Sequence, residues 1–180
     1  MNIAQNQLLI KMKKKIFTIA FCIFTIILLG SCEQDDICLE DTTPRLVIRF
    51  YDNENPNDFK KVSNLLVQIQ GISEVFFNET ITSSTDSIAI PIMVTDDLTK
   101  YTLVLNGNDG DETNDNPDIL NFTYTREDLF VSRSCGYKTV FHEGLTSLET
   151  DADNWILDVE TIDNPQSITN QKNAHVKIFH

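Results

Sequence analysis

Positive charge is scarce in this chain of 180 residues. Its 14 Lys and Arg side chains stand against 27 Asp and Glu, which gives a net charge of −13. Nucleic acids and anionic lipid headgroups are bound through basic surfaces. The charge balance therefore argues strongly against both classes of partner.

Motifs of catalytic and metal centres are also missing. There is no Gly-x-Ser-x-Gly elbow, and no recognisable base lies near Ser132 or Ser134 in the sequence. The histidines, His142, His175 and His180, form no His-Glu-x-x-His motif, and no two cysteines have Cys-x-x-Cys spacing. We predict no catalytic residue, no metal ligand and no cofactor.

The chain has a single tryptophan. Sugar-cleaving enzymes usually offer aromatic platforms to their substrates, so this composition gives little support to such an activity. Trp155 alternates with Leu157 and Val159, and this period of two predicts a core position. A polysaccharide hydrolase that works through two carboxylates is the alternative function, because such an enzyme needs only a pair of acids at a fixed separation.

Residues 12–32, MKKKIFTIAFCIFTIILLGSC, are organised like an export signal. Three lysines precede an apolar run over residues 16–29, which is shorter than the roughly 20 residues that cross a bilayer. The final LGSC resembles the bacterial lipobox, whose cysteine is acylated and becomes the first residue of the mature protein. We predict that residues 1–31 are a removed signal peptide and that Cys32 is lipidated. An ordinary cleaved signal and an uncleaved anchor are the alternatives.

Removal of residues 1–31 leaves 149 residues, which suits one domain with an adequate core. Four lysines leave with the signal, so 10 basic residues face 27 acidic ones and the net charge becomes −17. We assign residues 32–44 to a lipidated acidic tether and residues 45–180 to a β-sandwich domain. The acidic run at residues 33–36 resembles a surface-export signal of lipoproteins from Bacteroidota. We predict a lipid anchor in the outer membrane and leave open whether the domain faces the cell surface or the periplasm.

The four cysteines have separate fates in this scheme. Cys22 leaves with the signal and Cys32 carries the lipid. Cys38 and Cys135 then form an even pair in an oxidising compartment, and we predict a disulfide between them. Closing this long loop adds on the order of 4–5 kcal/mol of stability in the chain-entropy model. A thiol site for metal or catalysis is the alternative.

Period-two alternation of apolar residues dominates from residue 45 onward. It predicts about nine short strands, over residues 45–51, 64–70, 74–78, 88–94, 100–106, 119–125, 135–142, 155–162 and 174–179. Pro91 cannot donate to a strand ladder, so its run is predicted to be an edge or bulged strand. Residues 125–128 predict one helical turn. We predict an all-β fold, a single antiparallel β-sandwich that is Ig-like in general architecture.

The predicted core combines apolar stripes with aromatic residues. Its members are Leu46, Ile48, Phe50, Leu65, Val67, Ile69, Ile88, Ile90, Ile92, Val94, Phe122, Tyr124, Phe141, Trp155, Leu157 and Val159. Cys135 is expected on the same strand face as Tyr137 and Phe141, which places the disulfide at the edge of the core.

Two surface features leave alternatives open. Residues 106–118 are almost wholly Asn, Asp, Glu and Gly, which is typical of a solvated turn, and a calcium site is the alternative although the EF-hand pattern fails. The triplets that begin at Asp41 and Asp86 look like a short O-glycosylation acceptor of Bacteroidota, with Thr42 and Ser87 as the acceptors.

The segments CLEDTTPRLVIRFYD, residues 38–52, and YTREDLFVSRSCGYKTVF, residues 124–141, resemble a family of uncharacterised lipoproteins from Bacteroidota. The resemblance spans most of the mature chain, and it supports the pairing of Cys38 with Cys135. It implies no catalytic residues, because none is established for that family.

These observations predict a non-enzymatic lipoprotein that acts as a binding or structural module of the cell envelope. The membrane is contacted through the lipid on Cys32, and the expected partner is an envelope protein or a glycan. A structural accessory subunit of an envelope complex is a third reading.

Overall fold

The computed structural model describes residues 12–17, 38, 43–70, 78–81, 84–163 and 166–180. The chain divides into two units, Met1–Ile37 and Cys38–His180. In the first unit residues 12–17 are helical, and no helix within the described ranges is long and apolar enough to cross a membrane. Cys32 and most of the predicted signal peptide and tether lie outside the described residues.

The second unit is built from β-strands. Its described residues form ten strands: β1 (Leu46–Tyr51), β2 (Leu65–Gln70), β3 (Asn78–Ile81), β4 (Ser87–Ile90), β5 (Leu98–Leu105), β6 (Asn116–Ser132), β7 (Gly136–Leu148), β8 (Asp158–Thr161), β9 (Gln166–Ile168) and β10 (Val176–Phe179). A 3-10 turn, Glu112–Asn114, lies between β5 and β6. The all-β prediction is confirmed.

The strands form two sheets that pack as a sandwich. One has the order β4-β1-β10-β8 and the other the order β3-β2-β5-β6-β7-β9. β1 and β10 run parallel, whereas the other pairings of named strands are antiparallel. The antiparallel sandwich is thus confirmed with one exception, which arises because the first and last strands lie side by side in the same direction.

Side-chain period places the core between the two sheets. Leu46, Ile48 and Phe50 of β1 are fully buried and alternate with half-exposed residues. Val67 of β2 and Phe122 of β6 bring matching apolar side chains from the second sheet. Each fully buried aliphatic or aromatic side chain contributes roughly 1.5–3 kcal/mol of apolar transfer free energy, so this layer is the main source of stability.

The predicted elements agree only in part with the observed ones. The turn predicted over residues 125–128 is instead part of β6, where cross-strand pairing with β7 takes its backbone hydrogen bonds. The strand predicted over residues 74–78 falls mostly outside the described residues. Pro91 ends β4 at Ile90, and β4 is an edge strand, as predicted.

Three predicted side-chain positions are wrong. Leu157 is 58% exposed, because Trp155 and Ile156 are both buried in an irregular segment and the alternation shifts by one residue. Val94 is exposed because the chain leaves the sheet after Pro91. Cys135 lies in a turn rather than a strand, so it does not share a strand face with Phe141.

Candidate functional site

A disulfide joins the N-terminal segment of the domain to the tip of the β6–β7 hairpin. The Sγ atoms of Cys38 and Cys135 are bonded, which confirms the predicted pairing. The backbone N–H of Cys135 donates to the Ser132 hydroxyl at 3.1 Å. Thr43 adds a second attachment, since its hydroxyl accepts the backbone N–H of Thr139 at 3.1 Å. The entering chain is therefore fixed to the hairpin at two points.

A cavity of about 340 Å³, here called the disulfide cavity, opens beside this bond. Its lining combines two basic side chains with apolar and aromatic ones: Cys38, Thr43, Pro44, Arg45, Pro91, Ile92, Val131, Cys135, Tyr137 and Lys138. Arg45 also donates to the carbonyl of Ala89 at 3.3 Å. A lining that combines basic and apolar side chains suits a ligand with one anionic group and an otherwise nonpolar or ring-shaped structure.

A second cavity, here called the polar cavity, has a volume of about 620 Å³ and lies beside β9 and the start of β10. Its lining is rich in amide and hydroxyl groups: Ile162, Asp163, Gln166, Ser167, Asn170, Asn173, Ala174 and His175. Side-chain amides both donate and accept hydrogen bonds, which matches the hydroxyl groups of a sugar.

His175 belongs to the frame of the polar cavity. Its Nδ1 accepts the backbone N–H of Val47 at 2.9 Å, and its own backbone N–H donates to the carbonyl of Val47 at 2.8 Å. Burial lowers the pKa of His175, and a backbone hydrogen bond with Asn170 partly opposes this. The imidazole is thus held neutral and joins β10 to β1.

His142 lies between a carboxylate and a hydroxyl at the edge of the polar cavity. Its Nε2 is 3.0 Å from Glu127 Oε2 and its Nδ1 is 3.3 Å from the Ser167 hydroxyl. Glu127 lies on β6 two residues beyond Thr125, which pairs with His142 across the two strands. Glu127 and Ser167 are both exposed, so water competes with these contacts and the cluster lies on an open sheet face.

The acidic loop uses its carboxylates to hold its own backbone. Asp109 accepts from the N–H of Asp111 at 2.8 Å and from the Asn114 amide at 2.9 Å. Asp111 accepts hydrogen bonds from the hydroxyl and from the backbone N–H of Thr113, and these two bonds lower the pKa of Asp111. Within the described ranges, no three His, Cys, Asp or Glu side chains are grouped to hold a metal ion.

Asp118, the last residue of the predicted loop, is instead a fully buried residue of β6. Its Oδ2 accepts the backbone N–H of Ile156 at 2.8 Å. Burial raises the pKa of Asp118, and the hydrogen bond from Ile156 opposes the rise. Among the carboxyl groups of the described residues, Asp118 alone has a clearly raised pKa, and it lines neither cavity.

Of the three predicted modification sites, only Ser87 lies within the described residues. Cys32 and Thr42 lie outside the described residues. Ser87 is the first residue of β4 and is half-buried, and its hydroxyl donates to the carbonyl of Ile48 at 3.2 Å. A glycan on this oxygen would replace that contact with the neighbouring strand.

The exposed aromatic pair at the hairpin tip was not singled out by the sequence. Phe130 and Tyr137 pair directly across β6 and β7, with ring centroids 5.4 Å apart. Their nearly equal spacing from the turn at residues 133–135 is typical of a cross-strand pair in a hairpin. That spacing is the sequence signal for the pair, but the local composition of residues 125–128 favours a helical turn instead.

The sequence profile of one family, described as a family of unknown function (DUF6452), matches residues 64–180. No curated protein and no solved structure matches the chain.

Proposed function

The chain belongs to the DUF6452 family of unknown function, so we propose a function from its own residues: it is a non-enzymatic, lipid-anchored binding module of the bacterial cell envelope. Acyl chains on Cys32 hold the module in the outer membrane, a short acidic tether follows, and the β-sandwich presents its cavities to a partner. The observation that carries this proposal is the order of features in residues 12–32.

The disulfide supports an envelope location. Cytosolic thiols are kept reduced, whereas bonds such as Cys38–Cys135 persist in the periplasm and outside the cell. Stable anchoring needs more than one acyl chain, and a diacylated or triacylated Cys32 supplies this.

Acylation is tested by growing cells with an alkyne fatty acid and labelling the isolated protein. We expect the label on the unmodified chain and its loss in Cys32→Ser. Cys22→Ser is the matched control, because it removes another thiol of the same segment and should leave the label in place. An unlabelled chain, or label that persists in Cys32→Ser, would contradict the anchor.

The polar cavity is the part of the module that we assign to ligand binding. Its volume of about 620 Å³ falls in the range of roughly 300–1,000 Å³ common for ligand pockets. Amide side chains of Asn170 and Asn173 offer hydrogen bonds of the kind that a glycan uses. Surface exposure would bring this cavity to polysaccharides outside the cell.

Glycan binding is tested by titrating the mature chain with oligosaccharides from the organism's own envelope. We expect Asn173→Ala to weaken binding several-fold, while Asn108→Ala, an exposed amide of the acidic loop, leaves it unchanged. Equal affinity of both variants would remove the cavity from the proposal. Co-purification of a stoichiometric envelope protein without any glycan would favour the accessory-subunit reading.

The hydrolase alternative requires two carboxylates across a cleft. Asp163 is the one carboxylate among the described lining residues of the polar cavity. Release of reducing ends from envelope polysaccharide, abolished in Asp163→Asn, would replace the binding module with an enzyme.

A further inference from the structure

The tip of the β6–β7 hairpin, residues 129–138, leaves large aromatic side chains in water. Phe130 is 60% exposed and Tyr137 is 71% exposed, the highest values for large hydrophobic residues within the described part of Cys38–His180. They stack against each other edge to face. Leu129 is also exposed, but on the opposite face of the hairpin, because it pairs with Lys138 and successive strand side chains alternate. An exposed aromatic pair of this kind marks an interaction surface.

The covalent structure fixes where this tip can be. Five residues lie between Cys32 and Cys38, and the six extended steps from one to the other span at most about 20 Å. Cys38 is bonded to Cys135 in the hairpin turn, and Thr43 is attached to Thr139 of β7. Because the Cα atoms of Cys38 and Cys135 are 4.9 Å apart, an acyl chain on Cys32 keeps Cys135 in the hairpin turn within about 25 Å of the membrane surface, without any further contact.

Charge at the tip is opposite to that of the whole molecule. Residues 129–138 contain Arg133 and Lys138 and no acidic residue, and Arg45 lies beside them in the disulfide cavity. The mature chain as a whole carries −17. The tether sequence contributes five carboxylates in residues 33–41, so a strongly anionic bilayer is not the expected partner. The phosphate groups of zwitterionic phospholipids suffice as partners for these cations.

We propose that the hairpin tip is a second membrane contact, in which Phe130 and Tyr137 enter the interfacial layer of the phospholipid bilayer that holds the acyl chains. The proposal rests on the lipid anchor of the proposed function. Aromatic rings favour the headgroup region of a bilayer, and Arg and Lys side chains reach from there to phosphates. The end of the sandwich that carries the disulfide would then face the membrane.

The test uses the acylated protein purified from envelopes and reconstituted in vesicles of phosphatidylethanolamine and phosphatidylcholine, with part of the phosphatidylcholine brominated on its acyl chains. Phe130→Trp reports on the tip. Leu157→Trp is the matched control, because Leu157 is 58% exposed. Its backbone N–H donates to the carbonyl of Phe179, which lies at the end of β1 and β10 that is farther from the disulfide. Trp155 is buried in all variants and gives a common background.

We expect bromine to quench Phe130→Trp several-fold more than Leu157→Trp, and the emission of Phe130→Trp to shift to the blue. Equal quenching of the two variants would overturn the proposal. A blue shift that appears without vesicles and follows the formation of a dimer in sedimentation would also overturn it, because a second copy would then cover the patch.

The outcomes separate this inference from the proposed function. The intact mass of the same preparation shows whether Cys32 carries acyl chains. If it does and quenching is equal, the membrane contact of the hairpin fails while the anchor stands. If Cys32 is unmodified, the anchor itself fails. A Phe130→Ser, Tyr137→Ser double variant gives a second measurement: acylated and still disulfide-bonded, it should leave vesicles several-fold faster than the unmodified chain.

Discussion

Asp118 shows how one buried carboxylate positions a neighbouring segment. Its Oδ2 accepts the N–H of Ile156, and the adjacent Trp155 donates its indole N–H to the carbonyl of Leu103 at 3.1 Å. These two bonds fix the irregular chain between β7 and β8 over the core. A buried acceptor that satisfies a buried N–H is worth more than its net hydrogen-bond energy, because its loss leaves the donor unpaired.

Asp118→Ala should lower the free energy of unfolding by about 1–3 kcal/mol, since the N–H of Ile156 loses its partner. Asp118→Asn keeps one acceptor oxygen and should cost less. Urea denaturation of the three chains gives the comparison. An Asn variant as unstable as the Ala variant would show that the hydrogen bond to Ile156 is not what Asp118 provides.

The raised pKa of Asp118 also sets the sign of its pH dependence. A folded pKa above the unfolded value means that the folded chain holds the proton more tightly, so stability from this group is lost as pH rises through the folded pKa. We expect the unmodified chain to gain stability relative to Asp118→Asn between pH 7 and about pH 4.5. A loss of stability relative to Asp118→Asn as the pH falls over this range would contradict a raised pKa.

Acidification should also change the contribution of His175 to stability, but in the opposite sense to that of Asp118. Its pKa is lowered by burial, so its contribution is complete above the unfolded value near 6.5 and is lost as pH falls through the lower folded pKa. We expect the unmodified chain to lose stability relative to His175→Gln between pH 7.5 and about pH 5.5. Urea denaturation at several pH values measures this. A constant difference would mean that His175 does not resist protonation.

For individual residues, the sequence correctly predicted burial where side chains alternate regularly along a strand. Leu46, Ile48 and Phe50 were assigned to the core correctly because strand side chains alternate. Asp118 was assigned to a solvated loop because its neighbours are polar, and Leu157 was assigned to the core from an alternation that ends before it. Both errors have one cause, which is that burial there depends on contacts distant in sequence.

The long β6–β7 hairpin is the element that brings the candidate sites together. One end of it carries the disulfide and the exposed aromatic pair, and further along it His142 reaches β9. Residues 125–128 have a local composition that suits a helical turn, but pairing with residues 139–142 of β7 satisfies their backbone and overrides it. Local propensity therefore could not predict the hairpin, or the surface that it forms.

Gly144 lets β9 approach β7 closely. A Cβ atom there would lie 2.7 Å from Phe122 Cζ and 3.1 Å from the carbonyl oxygen of Gln166. Gly144→Ala should cost about 1–3 kcal/mol, because the core and the β7–β9 pair cannot both stay in place. Thermal unfolding compares it with Ser147→Ala, an exposed position of the same strand that should be nearly neutral. Equal melting temperatures would show that β9 yields without cost.

For the whole molecule, the proposed lipid on Cys32 and the Cys38–Cys135 disulfide would together set the orientation of the domain. The sequence predicted both links from residue types and order, and the structure confirms the Cys38–Cys135 bond. It could not predict either cavity, because their walls come from segments far apart in the chain. The disulfide cavity alone joins Arg45, Pro91 and Lys138. The placement of such residues follows from sheet order, which period-two patterns do not contain.

Replacing both Cys38 and Cys135 by Ser should have two separate effects. Opening a loop that spans 97 positions should lower stability by about 3–5 kcal/mol, because the unfolded chain regains conformational freedom. The free tether would then run to Thr43, whose hydroxyl still accepts the N–H of Thr139, and its reach would grow from about 20 Å to about 40 Å. Urea denaturation measures the first effect. The second is measured in the same brominated vesicles, where Phe130→Trp in the double variant should be quenched less, although Cys32 stays acylated. Undiminished quenching would mean that the aromatic pair holds the membrane by itself, and that the disulfide contributes stability and not orientation.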